Sequence, residues 1–226
     1  MLTAFAVVLQ RTSGQRDFLV GTPVAGRAQR ETEGLIGFFV NTLVIRAKVS
    51  GDLSFSRLLA EVREACLGAY AHQDTPFERL VLELSPERSL SRTPLFQVAF
   101  TLTHEHRAAG QGGERRMRPV GAEVTTAKFD LTLAMSGGPS GLGGWFEYAS
   151  DLFDDATIDR LIAHFHILLE SLARAPGAPI GSLPLIDEAE RHTLVHTWNQ
   201  TSTPYPREPG IAALFEATAD AHPDAI

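Results

Sequence analysis

Asn41-Thr42-Leu43-Val44-Ile45-Arg46-Ala47-Lys48-Val49 is rich in β-branched residues and predicts a strand. Ser50-Gly51-Asp52 breaks that run. Phe55, Leu58, Leu59, Val62, Cys66, Ala69 and Tyr70 then recur at helical spacing behind Ser54, which is placed to cap the helix. A strand, a break and an amphipathic helix in succession are the unit from which layered α/β folds are assembled.

Upstream, Asp17-Phe18-Leu19-Val20-Gly21 predicts a short strand entering the punctuated segment Gly21-Thr22-Pro23-Val24-Ala25-Gly26-Arg27. The residues before it predict a helix that closes near Ser13-Gly14. That helix begins at Met1 with no capping residue and is apolar from its first turn, as a chain cut inside a helix would be. Downstream, His72-Gln73-Asp74-Thr75-Pro76 interrupts the central helix, and Pro76 opens a shorter one through Leu84. Strands are expected at Leu95–Thr103, about Met117–Thr126, Phe129–Met135 and Gly144–Ala149, with a polar surface loop over His104–Arg118.

A last strong helix follows Asp154 with the stripe Ile158, Leu161, Ile162, Phe165, Leu168, Leu169 and Leu172. After Arg174 the composition turns to Ala-Pro-Gly-Ala-Pro, that of a linker. A polar helical stretch near Asp187–Thr197 and a short helix from Ile211 complete the pattern. The fold class is therefore α/β or α+β: a two-layer sandwich with a mixed sheet and flanking helices.

Composition narrows the function classes. The 226 residues are 44% hydrophobic and 21% charged, which argues against disorder. A net charge of −7 argues against nucleic acid, and a single cysteine excludes an internal disulfide framework and a multi-cysteine metal site. No apolar run reaches membrane-spanning length, and the start of the chain lacks the layout of a signal peptide. The expected setting is cytoplasmic, with no membrane partner.

The chemistry-bearing residues give little by themselves. His164 and His166 are two apart on a helix and face different ways. His192 and His196 share a face, yet lack the glutamate of a zinc-protease motif. No metal site is expected. Serine elbows, a phosphate loop and a dinucleotide fingerprint are missing from the sequence. Cys66 lies on the apolar helix stripe and reads as a small buried hydrophobe. Asn41 and Thr42 directly follow Ile36-Gly37-Phe38-Phe39-Val40. An amide there either ties a turn to its own backbone or faces a substrate channel.

Four segments together resemble the C-terminal lobe of a nonribosomal peptide synthetase condensation domain. They are Val20–Arg27, Ile36–Leu43, His72–Glu78 and Arg92–Phe100, extended by Lys128–Leu131 and Tyr148–Phe153. His196–Thr201, Tyr205-Pro206 and Leu214-Phe215-Glu216 are similar to the joint leading into an adenylation domain. The resemblance implies one lobe of a chloramphenicol acetyltransferase-like fold over 1–175, a linker over 176–207 and the truncated start of an adenylation domain over 208–226.

The same resemblance implies a wall of the tunnel in which an acceptor amine attacks a thioester on a phosphopantetheine arm. It places Thr22, Asn41 and Gln97 toward that tunnel, Arg27, Asp74 and Arg92 as supports of the motif loops, and Asp130 and Asp151 as turn or cap residues. No catalytic residue is assigned. The implied partners are peptidyl carrier domains, an N-terminal condensation lobe and an adenylation domain, with no cofactor held by the chain itself. The family's His-His-x-x-x-Asp-Gly motif belongs to the N-terminal lobe, and this sequence has no adjacent histidine pair. The expectation is a fragment inactive alone, its first helix leaving Phe5, Val8 and Leu9 unburied. An epimerisation-domain fragment, or a non-catalytic split-domain partner, are the other readings.

Overall fold

Strand β1 (Asp17–Val24) pairs antiparallel with β2 (Asn41–Lys48), in a register running from Asp17 opposite Lys48 to Val24 opposite Asn41. The computed structural model describes residues 1–27, 29–84, 93–104, 126–138, 141–204 and 208–224. On the other side of β1 runs β3 (Val98–His104) in parallel, Val20 opposite Val98. Strand β4 (Leu131–Gly138) lies parallel to β3, and β5 (Gly141–Tyr148) returns antiparallel beside β4. The sheet is mixed, in the order β2-β1-β3-β4-β5. Gly141, at φ 118°, sits where an L side chain would be strained, and opens the last hairpin.

The helices follow the sequence patterns. α1 (Leu2–Ser13) ends at Gly14 in the left-handed conformation, whose N–H returns to Gln10 O. A short α2 (Arg30–Glu33) precedes β2. α3 (Phe55–Ala71) is capped by the Ser54 hydroxyl, which accepts from Arg57 N at 3.3 Å. α4 (Phe77–Leu84) starts directly after Pro76. The Asp154 carboxylate caps α5 (Asp155–Arg174), accepting from Thr157 N at 2.7 Å.

One face of the sheet carries Val20, Ala47, Phe100, Leu131 and Leu133 into a core shared with α1, α3 and α5. Phe5 is its hub, 6.2 Å from the Phe100 ring and 6.0 Å from Phe146, which in turn meets Phe165 edge-on at 6.5 Å. This corrects the expectation for the first helix. Phe5 and Val8 are fully buried and Leu9 packs against the core. A helix apolar on all sides is a central helix, and α1 occupies that place between α3 and α5.

The segment after Arg174 packs against the core in spite of its Pro and Gly. Ile180, Leu183 and Leu185 are buried, Ile180 N donates to Leu53 O, and the Arg11 guanidinium donates to the carbonyls of Ile180 and Leu183, both at 3.0 Å. The first compact unit therefore runs from Met1 to Ile186. The second, Asp187–Ile226, contains α6 (Glu188–His192), a π-helical turn over Thr193–Thr197 and α7 (Ile211–Ala221). The strand expected near Met117–Thr126 and the loop expected over His104–Arg118 fall almost wholly outside the described residues. No helix among the described residues is long and apolar enough to cross a membrane.

Candidate functional site

Asn41 opens β2, and its side chain uses both of its polar atoms. Nδ2 donates to Gln73 O and to Thr75 O, each at 2.8 Å. Oδ1 accepts from Thr42 N at 2.9 Å and from Phe77 N at 3.2 Å. Two donors and two accepted bonds exhaust what a primary amide usually offers. The amide thus fastens the His72–Pro76 turn and the start of α4 to the head of β2. These contacts make Asn41 a tie between segments of the chain.

The tie continues through aromatic rings. Phe77 meets Phe96 edge-on at 5.7 Å, and Phe96 meets Phe129 at 5.2 Å. Phe96 is 2% exposed and lies over Gly21, where an added Cβ would stand 2.1 Å from the ring. Only glycine leaves room for that ring on β1. Gln97 sits beside this cluster, its Nε2 donating to Thr93 O at 3.0 Å while its backbone carbonyl accepts from Asp130 N at 3.0 Å. Asp130 acts through its backbone here, joining the approaches to β3 and β4.

A second clamp holds the segment before β2. The Arg27 guanidinium lies 4.2 Å above the Phe39 ring and donates to Thr32 O and, at 3.4 Å, to Gly37 O. Gly26, at φ 64°, brings its backbone so close that a Cβ would meet Phe39 O at 1.8 Å. Between these fixed points Ile36 and Phe38 stand fully in solvent, at 104% and 90% exposure, with Leu35 and Val40 beside them. Thr22 is buried at 9% exposure and lines a cavity near α3. Asp74 and Asp151 are exposed, and Arg92 lies outside the described residues.

The structure thus brings together residues from each sequence block, and a family model for the condensation domain matches residues 1–195. The chain belongs to the condensation-domain family. It is 48% identical over 228 residues to one of the linear gramicidin synthase proteins of Brevibacillus parabrevis, covering 100% of this chain and 4% of that relative. A solved X-domain from teicoplanin biosynthesis is 30% identical, with a TM-score of 0.72 over 82% of this chain and 43% of that one. The fold also matches a crystallised four-domain nonribosomal peptide synthetase bound to AMP and glycine. That TM-score is 0.78 at 24% identity, covering 99% of this chain and 18% of that one. This likeness bears on fold alone.

In this condensation-domain chain the motif blocks are a scaffold made of backbone ties and stacked rings. Burial pushes the Cys66 thiol above its ordinary pKa, which makes it a poor nucleophile. Burial likewise raises Tyr70, with Cys66 nearby as a lesser cause. The His192 and His196 rings stand 4.9 Å apart, and no group of three metal-ligating side chains occurs among the described residues. The residues missed in the sequence are Phe77, Phe96 and Phe129. All three lie inside the quoted blocks or their extension, and aromatic residues just after Thr75-Pro76 and Pro94-Leu95 were the available signal.

Proposed function

We propose that this chain contributes the C-terminal wall of the tunnel in a nonribosomal peptide synthetase condensation domain. The convergence of the Gly21, Asn41, Phe77 and Phe96 contacts carries this reading, because it joins residues from all four blocks into one connected assembly. Rigid positioning is what a surface must provide when two carrier-borne arms are held for attack. In the reaction an amine nitrogen attacks the thioester carbonyl, the C–S bond breaks, and the departing sulfur leaves as a thiol once the amine proton has been passed on. That step needs a group to move the proton and donors for the oxyanion.

The histidine motif that the family uses is not in this sequence, so the proton-moving group comes from an N-terminal lobe. The partners in this reading are peptidyl carrier domains bearing phosphopantetheine arms, and an adenylation domain whose start corresponds to residues 208–226. Thr22 and Gln97 are the proposed wall residues, with Asn41 and Arg27 holding the wall in place. The test is peptide-bond formation between carrier-bound substrates. The chain alone should give none, and a separately expressed N-terminal lobe carrying the histidine motif should restore it. Turnover by the purified chain, or a lobe that neither binds nor restores activity, overturns the reading.

A further inference from the structure

Leu95 holds φ 70°, and the other positive-φ positions among the described residues, Gly14, Gly26 and Gly141, are all glycines. That conformation crowds the Cβ of an L residue, so a leucine held in it is strained. The Phe96 N–H donates to Pro94 O at 3.0 Å across Leu95 alone, which closes a three-residue turn of the strained kind. Leu95 belongs neither to the buried core nor to the side chains packed against it, so the core does not explain the strain.

The restraint comes from the residues that follow. Phe96 seats its ring over Gly21, and Gln97 reaches back across the turn, its Nε2 donating to Thr93 O at 3.0 Å. The Gln97 backbone carbonyl is held in turn by Asp130 N at 3.0 Å. Rotating Leu95 to an ordinary negative φ would carry Thr93 and Pro94 away from Gln97 and Phe96 and open the bonds across the turn. Strained backbone persists only where its surroundings enforce it, and it gathers where a side chain must be aimed.

We propose that Leu95 is a positioning residue for condensation, its left-handed backbone aiming the Gln97 amide. The strained turn stands on its own geometry; its use in condensation rests on the tunnel-wall reading above, in which Gln97 faces the substrates. What the reaction uses is the backbone of Leu95 and not its side chain.

The experiment separates backbone from side chain in the chain complemented by an N-terminal lobe. Leu95→Asn discards the apolar side chain but favours positive φ, whereas Leu95→Val stays apolar and its branching opposes that φ. Leu95→Val and Gln97→Ala should each slow condensation per folded molecule about fivefold, the usual worth of one hydrogen bond. Leu95→Asn, the conservative change for the backbone, should retain most of the rate. The double variant Leu95→Val/Gln97→Ala should be no slower than the slower single one, because the two residues act as a unit. Amide exchange at Phe96, measured on the chain alone, should stay slow in Leu95→Asn and quicken several-fold in Leu95→Val. Should Leu95→Val not fold, Leu95→Ala takes its place, and circular dichroism checks each variant. Equal losses in Leu95→Asn and Leu95→Val, losses that multiply in the double variant, or an unchanged rate in Leu95→Val or Gln97→Ala overturns the proposal. Unchanged Phe96 exchange in Leu95→Val strikes the turn alone, whereas a lobe that restores no condensation strikes the wall reading, so the two failures are told apart.

Discussion

The Phe96 ring occupies the space that a side chain on Gly21 would need, with Cε2 2.1 Å from the position of an added Cβ. The ring also meets Phe77 and Phe129, which restrict its movement away from Gly21. Gly21→Ala should therefore cost about 1–3 kcal/mol of folding stability, the usual range for overpacking. Phe96→Leu in the same chain should recover part of that loss as a positive coupling. Urea denaturation of the two single variants and the double variant measures both quantities. Strict additivity would mean that the two residues do not compete for the space.

Asn41 yields a sharper prediction, because its amide links segments 32 to 36 residues apart. Asn41→Ala strands two carbonyls and two backbone N–H groups, and should lower stability by about 1–3 kcal/mol. Asn41→Asp keeps an acceptor for Thr42 and Phe77 but turns a carboxylate oxygen toward the carbonyls of Gln73 and Thr75, so it should not rescue. The informative measurement joins a denaturation midpoint with a condensation rate in a two-lobed homologous domain. A lowered midpoint with an unchanged rate per folded molecule fits the tie. An unchanged midpoint with a slowed rate would give Asn41 to the channel.

These two residues also mark what could be read without a structure. The β2–α3 unit was legible because its signals are local: β-branched residues, a break, then apolar residues at helical spacing behind Ser54. The position of Asn41 was equally visible, but its role depends on which carbonyls arrive from another turn, and no local pattern encodes that. The burial of α1 was legible in principle, since Ala4 to Val8 leave no polar face. The segment through Leu185 was hidden by its Pro and Gly, although Ile180, Leu183 and Leu185 supply apolar anchors.

Arg27 should not be replaceable by lysine. Its planar guanidinium stacks on Phe39 while donating to carbonyls at Thr32 and Gly37, a combination that a single ammonium cannot reproduce. Arg27→Lys should leave global stability nearly unchanged and loosen the segment before β2. Amide hydrogen exchange over Gly34–Val40 should accelerate several-fold, while exchange in β4 should not change. Equal protection in the variant would show that the stacking holds nothing.

Two exposed carboxylates should contribute to the acid limb of stability. The Arg46 guanidinium bonded to Asp17, and the Thr157 hydroxyl and then its N–H beside Asp154, hold both carboxyls below the usual carboxylate pKa of about 3.9. A group whose folded pKa is depressed stabilises the fold at pH values above its unfolded pKa. That contribution is lost as pH falls through the folded pKa. Both contributions should thus be complete at neutral pH and disappear below about pH 4. Asp154→Asn retains a capping oxygen but cannot titrate, so it should flatten part of the acid slope of the denaturation midpoint. An identical acid slope in the variant would remove Asp154 from the account.

The exposed segment at Leu35, Ile36, Phe38 and Val40 gives the last prediction. Single exposed apolar residues are ordinary, but four within six positions, anchored by Arg27 and by the close approach of Gly26 to Phe39, form a fixed patch. Such a patch should bind an environment-sensitive hydrophobic dye and promote self-association of the isolated chain. Ile36→Ser with Phe38→Ser should reduce dye fluorescence by more than half and shift sedimentation toward the monomer. Neither side chain is part of the core, so the melting temperature should change by no more than a few degrees. Adding an N-terminal lobe that restores condensation should quench the dye signal of the unmodified chain as well, if that lobe covers the patch. Undiminished dye binding by the double variant would place the association surface elsewhere, with Leu142 and Trp145 on β5 the next exposed apolar pair to change.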